Sequence, residues 1–359
     1  MSNLFLSNQQ IDQVRRRVDA GEQPWASAYQ ALLVAAERGL QQKPLSVRQN
    51  GGSPHFRADV TYVQGQDGVY DEDSNRESVQ LGMLLGDTVR DLALAHRLTR
   101  DARYAEHALI LIHAWCINQN TRMFAAGRVE DAWTRGGIYG GDVLMFSAFR
   151  NLFLAIYLLD DYSGWSLNAH AAVRRWVRAM VEPQREHMFF EGVEMYNNWE
   201  DDRLAYLASG ALALDDLDLL ASVFDRWRQI IPVKMTAEGE LPRETMRTRS
   251  MNYTLRALRD MAFVAEIASQ FGVNLYDYMA EGKSLRLALD YATYHLLHME
   301  QWPHQMIRPL ADDAAAGPHL AQFELAYARW GDERHLAVIN AWGGRPVMGD
   351  HATLLFAQR

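Results

Sequence analysis

The 359-residue chain has a single cysteine, 10 prolines and 24 glycines. One cysteine cannot close an internal disulfide, and Cys116, within LILIHAWCIN, reads as a small apolar residue on a buried helix face. So few turn-forming residues argue against a many-turned β-sandwich. Positive charge is also scarce: 36 Lys and Arg against 45 Asp and Glu leave a formal charge of −9. That balance argues against a general nucleic-acid or anionic-membrane binder, because such proteins use clustered cations to replace counterions. No run reaches the ~20 apolar residues that span a bilayer. MSNLFLSNQQIDQVRRRV lacks a basic start followed by an apolar core, so no secretory leader is visible. The expectation for the chain as it stands is cytoplasmic, or periplasmic or secreted if a leader was removed. No histidine pair has i, i+4 spacing around a glutamate, and no cysteine pair exists. No metal or other cofactor is expected.

What remains is 48% hydrophobic and 23% charged, a globular composition patterned with helical periodicity. Ser78 to Thr99 places apolar residues three and four apart with charges opposite, and after a polar break near Asp101 the same period resumes. This is a helical hairpin. Leu207–Leu214 running into Asp215–Leu220, and Phe323–Trp330 running into Gly331–His335, repeat it in degenerate form. Further helices are expected near 11–18, 24–40, 143–160, 168–182, 218–231, 250–271 and 283–299. The fold class expected is all-α, an incomplete (α/α) toroid of antiparallel hairpins. With no Pro/Gly/Ser linker, residues 1–359 read as one domain. The irregular stretches 43–77, 118–142 and 232–247 are candidate functional loops.

Two polar segments interrupt the pattern. Tyr196-Asn197-Asn198-Trp199-Glu200-Asp201-Asp202 precedes an apolar helix. One asparagine suffices as an N-cap, which leaves the other amide available to donate to a substrate carboxylate. Glu240 to Tyr253 carries Arg243, Arg247 and Arg249 ahead of Tyr253. On a helix Arg249 and Tyr253 share a face, whereas Arg243 and Arg247 converge with them only from an entering loop. The bland alternative is a solvated basic helix start paired with Glu240 and Glu244.

These segments also carry a resemblance. Asp67-Gly68-Val69, Leu92 to Thr99, Arg103-Tyr104-Ala105-Glu106, Ala114-Trp115, Thr121-Arg122-Met123, Asn197-Asn198 and Glu244 to Tyr253 occur in an order that resembles the alginate-lyase group of polysaccharide lyases. The resemblance implies a toroid whose cleft binds an anionic, uronic-acid polysaccharide and cleaves it by β-elimination. It implies Tyr253 as base and then acid, Asn198 as the amide that neutralises the substrate carboxylate, and Arg247 as the supporting arginine. Asn197, Trp199, Arg243, Arg249, Arg122, Tyr139 and Trp302 are the associated substrate-binding candidates, with Trp133 as a further stacking residue. The family's histidine after the two asparagines is Trp199 here. His55 and His304, both near loops, are the candidates to replace it. A competing reading is a toroid glycosidase built on Glu200, Asp201 and Asp202, with Asp67, Asp71 or Asp142 as the second carboxyl group. A third is a sugar-binding toroid without activity.

Overall fold

The computed structural model describes residues 5–60, 67–69, 76–129, 139–140, 143–190, 192–312 and 320–358. Among them the regular structure is almost entirely helical: α1 (Asn8–Asp19), α2 (Trp25–Gly39), α3 (Glu77–Thr99), α4 (Ala102–Cys116), α5 (Leu144–Leu158), α6 (Leu167–Val181), α7 (Asn198–Leu214), α8 (Leu217–Lys234), α9 (Pro242–Thr245), α10 (Ser250–Gln270), α11 (Leu285–Leu297), α12 (Ala321–Trp330), α13 (Glu333–Trp342) and α14 (Ala352–Phe356). Strands are confined to three two-residue antiparallel pairs, one of which joins Val60 to Tyr139. None of the helices is long and apolar enough to cross a membrane. The chain divides into two compact units. One comprises Leu33–Met195 and Ala205–Ala221, and the other Met1–Leu32, Tyr196–Leu204 and Ser222–Arg359. We refer to them as the α3 unit and the α10 unit.

In the α3 unit the hairpin read from Ser78 onward is α3 and α4. Arg100 ends α3 in the left-handed conformation (φ 63°), and Asp101 caps α4 by accepting the Arg103 N–H at 2.9 Å. α3 packs on α5 as well as α4, and two glycines explain how closely. A Cβ on Gly86 would stand 2.9 Å from the Ala148 carbonyl oxygen, and one on Gly82 would stand 3.1 Å from the Ala148 Cβ. α5 is buried along most of its length, and the rings of Phe149, Phe153, Trp115, Trp176 and Tyr206 interlock beside it. Burying such rings supplies much of the apolar area that stabilises a helical core.

The α10 unit is organised around its longest helix. Sixteen of the 21 residues of α10 are buried, and α9, α11 and α12 pack against it. Gly331 (φ 66°) ends α12 and Asp332 caps α13, so the third expected hairpin forms across the acidic turn that separates its helices. The helix positions follow the periodicity, with two corrections that bear on the site. α7 begins at Asn198, so Asn198-Trp199-Glu200-Asp201-Asp202 forms its first turns and only Asn197 of the Asn-Asn-Trp-Glu-Asp-Asp run precedes the helix. α8 continues through Pro232 to Lys234, where a loop was expected. Proline removes a backbone donor and its ring crowds the carbonyl four residues earlier, which disfavours it inside a helix. Here Lys283 donates to the Pro232 carbonyl, and the Lys234 ammonium is anchored to Asp201 and to the Tyr196 carbonyl.

Candidate active site

The start of α7 separates the two asparagines by function. Asn197 is the cap: its Oδ1 accepts the Trp199 N–H at 3.2 Å, and its carbonyl accepts those of Glu200 and Asp201. The Asn198 N–H, another orphan donor of the first turn, goes to the buried Glu244 carboxylate at 2.6 Å. The Asn198 side chain is therefore not needed for capping. Its Oδ1 accepts from Arg247 Nη1 at 3.0 Å. An amide whose oxygen is held by a guanidinium has its orientation fixed, with Nδ2 as its donor.

Arg247 sits between α9 and α10, and this placement lets it reach residues that helical spacing alone would separate. Its guanidinium lies 3.5 Å from the centroid of the Tyr253 ring and 5.8 Å from that of Trp199. Arg249, four residues before Tyr253, lies 5.9 Å from the same phenol ring. Arg243 instead covers Tyr196 at 3.7 Å. Tyr253 is only 4% exposed, Asn198 1%, and Trp199 is half-buried. The α10 entry is pinned from the segment after α11. Ile307 donates to the Thr248 carbonyl at 2.9 Å, Arg249 bridges Met306, and the Ser250 hydroxyl donates to the Gln305 carbonyl at 2.7 Å.

Each of the acids that follow Trp199 is paired with at least one cation. Glu200 is held by Arg203 and Arg226, Asp201 by Lys234 at 2.5 Å, and Asp202 by Arg256 and Arg259. Burial alone would raise the Glu200 pKa, but Arg203 and then Arg226 outweigh it and hold the carboxyl below its ordinary value. Burial pushes Asp201 well above its ordinary value, with the Lys234 ammonium opposing. Burial also raises Glu244, with Lys234, Arg247 and the Asn198 N–H opposing. These side chains form a buried charged layer beneath the asparagines. They are not the pair of carboxyl groups flanking a bond that a glycosidase needs.

The remaining candidates fall elsewhere. Trp302 is 9% exposed, donates Nε1–H to Ser250 Oγ at 2.8 Å and is enclosed by Tyr291, His295 and His304. It braces the start of α10 and is not an open stacking surface. His304 lies 3.3 Å from Glu240, which in turn takes the Thr245 hydroxyl. His55 belongs to the α3 unit, edge-on to Phe124. Arg122 is in that unit too, its guanidinium 5.5 Å from the Phe124 ring. The Tyr139 backbone pairs with Val60, but its side chain, like Trp133, Asp71 and Asp142, lies outside the described residues. The buried cationic partners Arg203, Arg226, Lys234, Arg256 and Arg259 were not anticipated, and Glu244 was read as a surface residue. Among those cations only Arg203 carried a visible signal, its i, i+3 spacing from Glu200.

A buried phenol, a guanidinium and an oriented amide thus stand in one cluster on an all-α scaffold. The chain matches the alginate lyase family model over residues 23–302 and belongs to that family. It is a polysaccharide lyase. Its fold is similar to that of an alginate lyase from Bacteroides ovatus, with a TM-score of 0.79 at 18% identity over 99% of both chains. It is also similar to alginate lyase A1-III from Sphingomonas species A1, with a TM-score of 0.66 at 16% identity over 97% of this chain and 95% of that one. A tyrosine-to-phenylalanine variant of A1-III complexed with tetrasaccharide gives a TM-score of 0.63 at 14% identity, over 97% of this chain and 94% of that one. The fold is thus the α/α toroid of these lyases. No curated protein matches the chain in sequence.

Proposed function

We propose that the chain cleaves a β-1,4-linked uronic-acid polymer, alginate in its polymannuronate blocks or glucuronan, by β-elimination. The observation that carries this reading is Arg247, which contacts the Asn198 amide oxygen and the Tyr253 ring at once. A C5 proton beside a carboxylate is weakly acidic, because its loss places a second negative charge on one group. Asn198 Nδ2–H and Arg247 stabilise that developing dianion more than the ground state. Tyr253, acting as its phenolate, takes the C5 proton. The C4–C5 double bond forms as the C4–O bond breaks, and the new phenol returns its proton to the departing oxygen. The phenolate is regenerated, and no metal or other cofactor enters the step.

Trp199 sharpens the substrate. With tryptophan where the family has histidine, one tyrosine serves both transfers, which requires the C5 proton and the C4 oxygen on the same face of the sugar. Mannuronate and glucuronate meet this requirement; guluronate, the C5 epimer of mannuronate, does not. The tetrasaccharide complexes of A1-III support a saccharide ligand of several units. The hydrolase alternative has no support from Glu200, Asp201 or Asp202, all buried against cations.

The test is incubation with polymannuronate, polyguluronate and glucuronan while following ultraviolet absorbance of the unsaturated ends. Absorbance is expected to rise with polymannuronate or glucuronan, and Tyr253→Phe should slow the rise by about 10²–10⁴-fold. New reducing ends without absorbance would overturn the elimination; a preference for polyguluronate would overturn the one-tyrosine geometry.

A further inference from the structure

The α3 unit holds a second concentration of positive charge that the chemistry above does not use. A cavity of about 340 Å³ lies between the segment that follows α4 and the side of α6, lined by Arg122, Phe124, Arg175, Met123, Trp176 and Ala172. No acidic side chain contributes to its wall. Phe124, 36% exposed, lies 5.5 Å from the Arg122 guanidinium and 5.0 Å from that of Arg48. The buried Arg48 Nε has no hydrogen-bond partner.

Many arginines of the same unit are paired with acids, although among the described residues Arg38, Arg100 and Arg178 are not. Arg90, Arg97, Arg103, Arg128, Arg174 and Arg185 each hold an aspartate or glutamate. With 45 acids for 36 Lys and Arg, partners are in excess. Yet among the described residues no carboxylate pairs with Arg48, Arg122 or Arg175. Unpaired guanidiniums around an exposed ring and an apolar floor suit a ligand with one carboxylate and one C–H-rich face. A hexuronate ring has both.

We propose that this pocket binds a single hexuronate residue of the polymer, with its carboxylate on Arg122 and Arg175 and its ring face on Phe124. The proposal rests on the reading of the substrate as a uronate polymer. It assigns a chain-holding site that shares no residue with the Tyr253 cluster. The volume is at the lower end of the ~300–1,000 Å³ typical of ligand sites, as one sugar ring requires. Both arginines are exposed, so binding is expected to be weak, about millimolar, and to weaken further with salt.

The experiment titrates the full isotope-labelled chain with methyl β-D-glucuronide, with methyl β-D-glucoside as the uncharged control, and follows backbone amides of residues 116–125 and 172–179 by NMR. Saturable shifts there with the glucuronide, absent with the glucoside, are expected. They should need at least about tenfold more ligand in Arg175→Glu and in Phe124→Ala, and persist in Arg247→Ala. Amides that do not move, an equal response to the glucoside, unchanged titration in Arg175→Glu, or loss of the response in Arg247→Ala each overturn the site. The glucuronide has no 4-linked sugar to eliminate. This result is therefore independent of the absorbance assay, and the two readings fail separately.

Discussion

Replacing Arg247 with lysine keeps the positive charge and removes the planar fork. In the native arrangement the guanidinium donates to Asn198 Oδ1 at 3.0 Å while lying 3.5 Å from the Tyr253 ring centroid. A hydrogen bond to a charged group contributes about 1.5–3 kcal/mol, and a desolvated cation–π contact adds about 1–2 kcal/mol. A single ammonium can restore one of these contacts but not both, because it has neither the flat face nor the second arm. The expected loss is about 1.5–3 kcal/mol of transition-state stabilisation, or about 10- to 150-fold in kcat/KM. Initial rates of unsaturated-product formation over a range of polymer concentrations give kcat and KM separately. Because both contacts are read as strengthening while charge develops, the fall should lie mainly in kcat. A variant within threefold of the parent, or one whose whole loss is in KM, would refute the role given to Arg247. Thermal unfolding of the same preparation checks that the fold is retained.

The two asparagines should separate cleanly. Asn197→Ala removes a cap and is expected to cost about 1 kcal/mol of stability while the folded fraction keeps its turnover. Asn198→Ala keeps the cap but loses the Arg247 hydrogen bond, so it should lower the kcat of the folded fraction as well as stability; denaturant unfolding and absorbance rates on both variants decide, and an Asn197→Ala variant whose folded fraction loses turnover while Asn198→Ala keeps it would exchange their roles. Glu200→Gln removes the shared acceptor of Arg203 and Arg226 in a buried setting and should destabilise by about 3–5 kcal/mol, read from the urea midpoint. The Glu200 carboxyl titrates below its ordinary value of 4.5. Its stabilisation is therefore complete above that value and lost as pH falls through the lower folded one. Acid-unfolding curves should accordingly flatten in Glu200→Gln, and an unchanged acid limb would contradict the pairing.

Much of the helical layout was legible because it depends on local signals. The α3–α4 hairpin is written in periodicity plus Asp101, and the α12–α13 hairpin in Gly331-Asp332, a left-handed residue followed by a cap. The start of α7 was read too late because its first turns carry Glu200, Asp201 and Asp202, which mimic an exposed loop until their partners are known. Those partners lie far along the chain: Arg226 on α8, Lys234 at its end and Arg256 on α10. No spacing rule links residues 26 to 54 positions apart. The same limit hid Glu244, which reads as half of a surface ion pair and is in fact the buried acceptor for α7. Trp302 failed as a stacking candidate for a related reason. Its neighbours Tyr291 and His295 come from α11, so its enclosure is a tertiary property.

The charged layer under the site follows from what the Asn198 amide requires. If that amide is to donate to a substrate carboxylate, its oxygen must be satisfied inside the protein, the helix that carries it must be capped by other groups, and its backbone must not drift. Arg247 meets the first requirement, Asn197 and Glu244 the second. The third falls to the ion pairs of Glu200, Asp201 and Asp202, which tie the first turns of α7 to α8 and α10. Buried pairs of this kind add little net stability over apolar packing, yet breaking one partner is costly. They therefore act chiefly by restricting alternatives. A hydrophobic first turn could be as stable, but it would leave the backbone that carries the amide free to drift, and transition-state stabilisation depends on donors oriented before the charge appears.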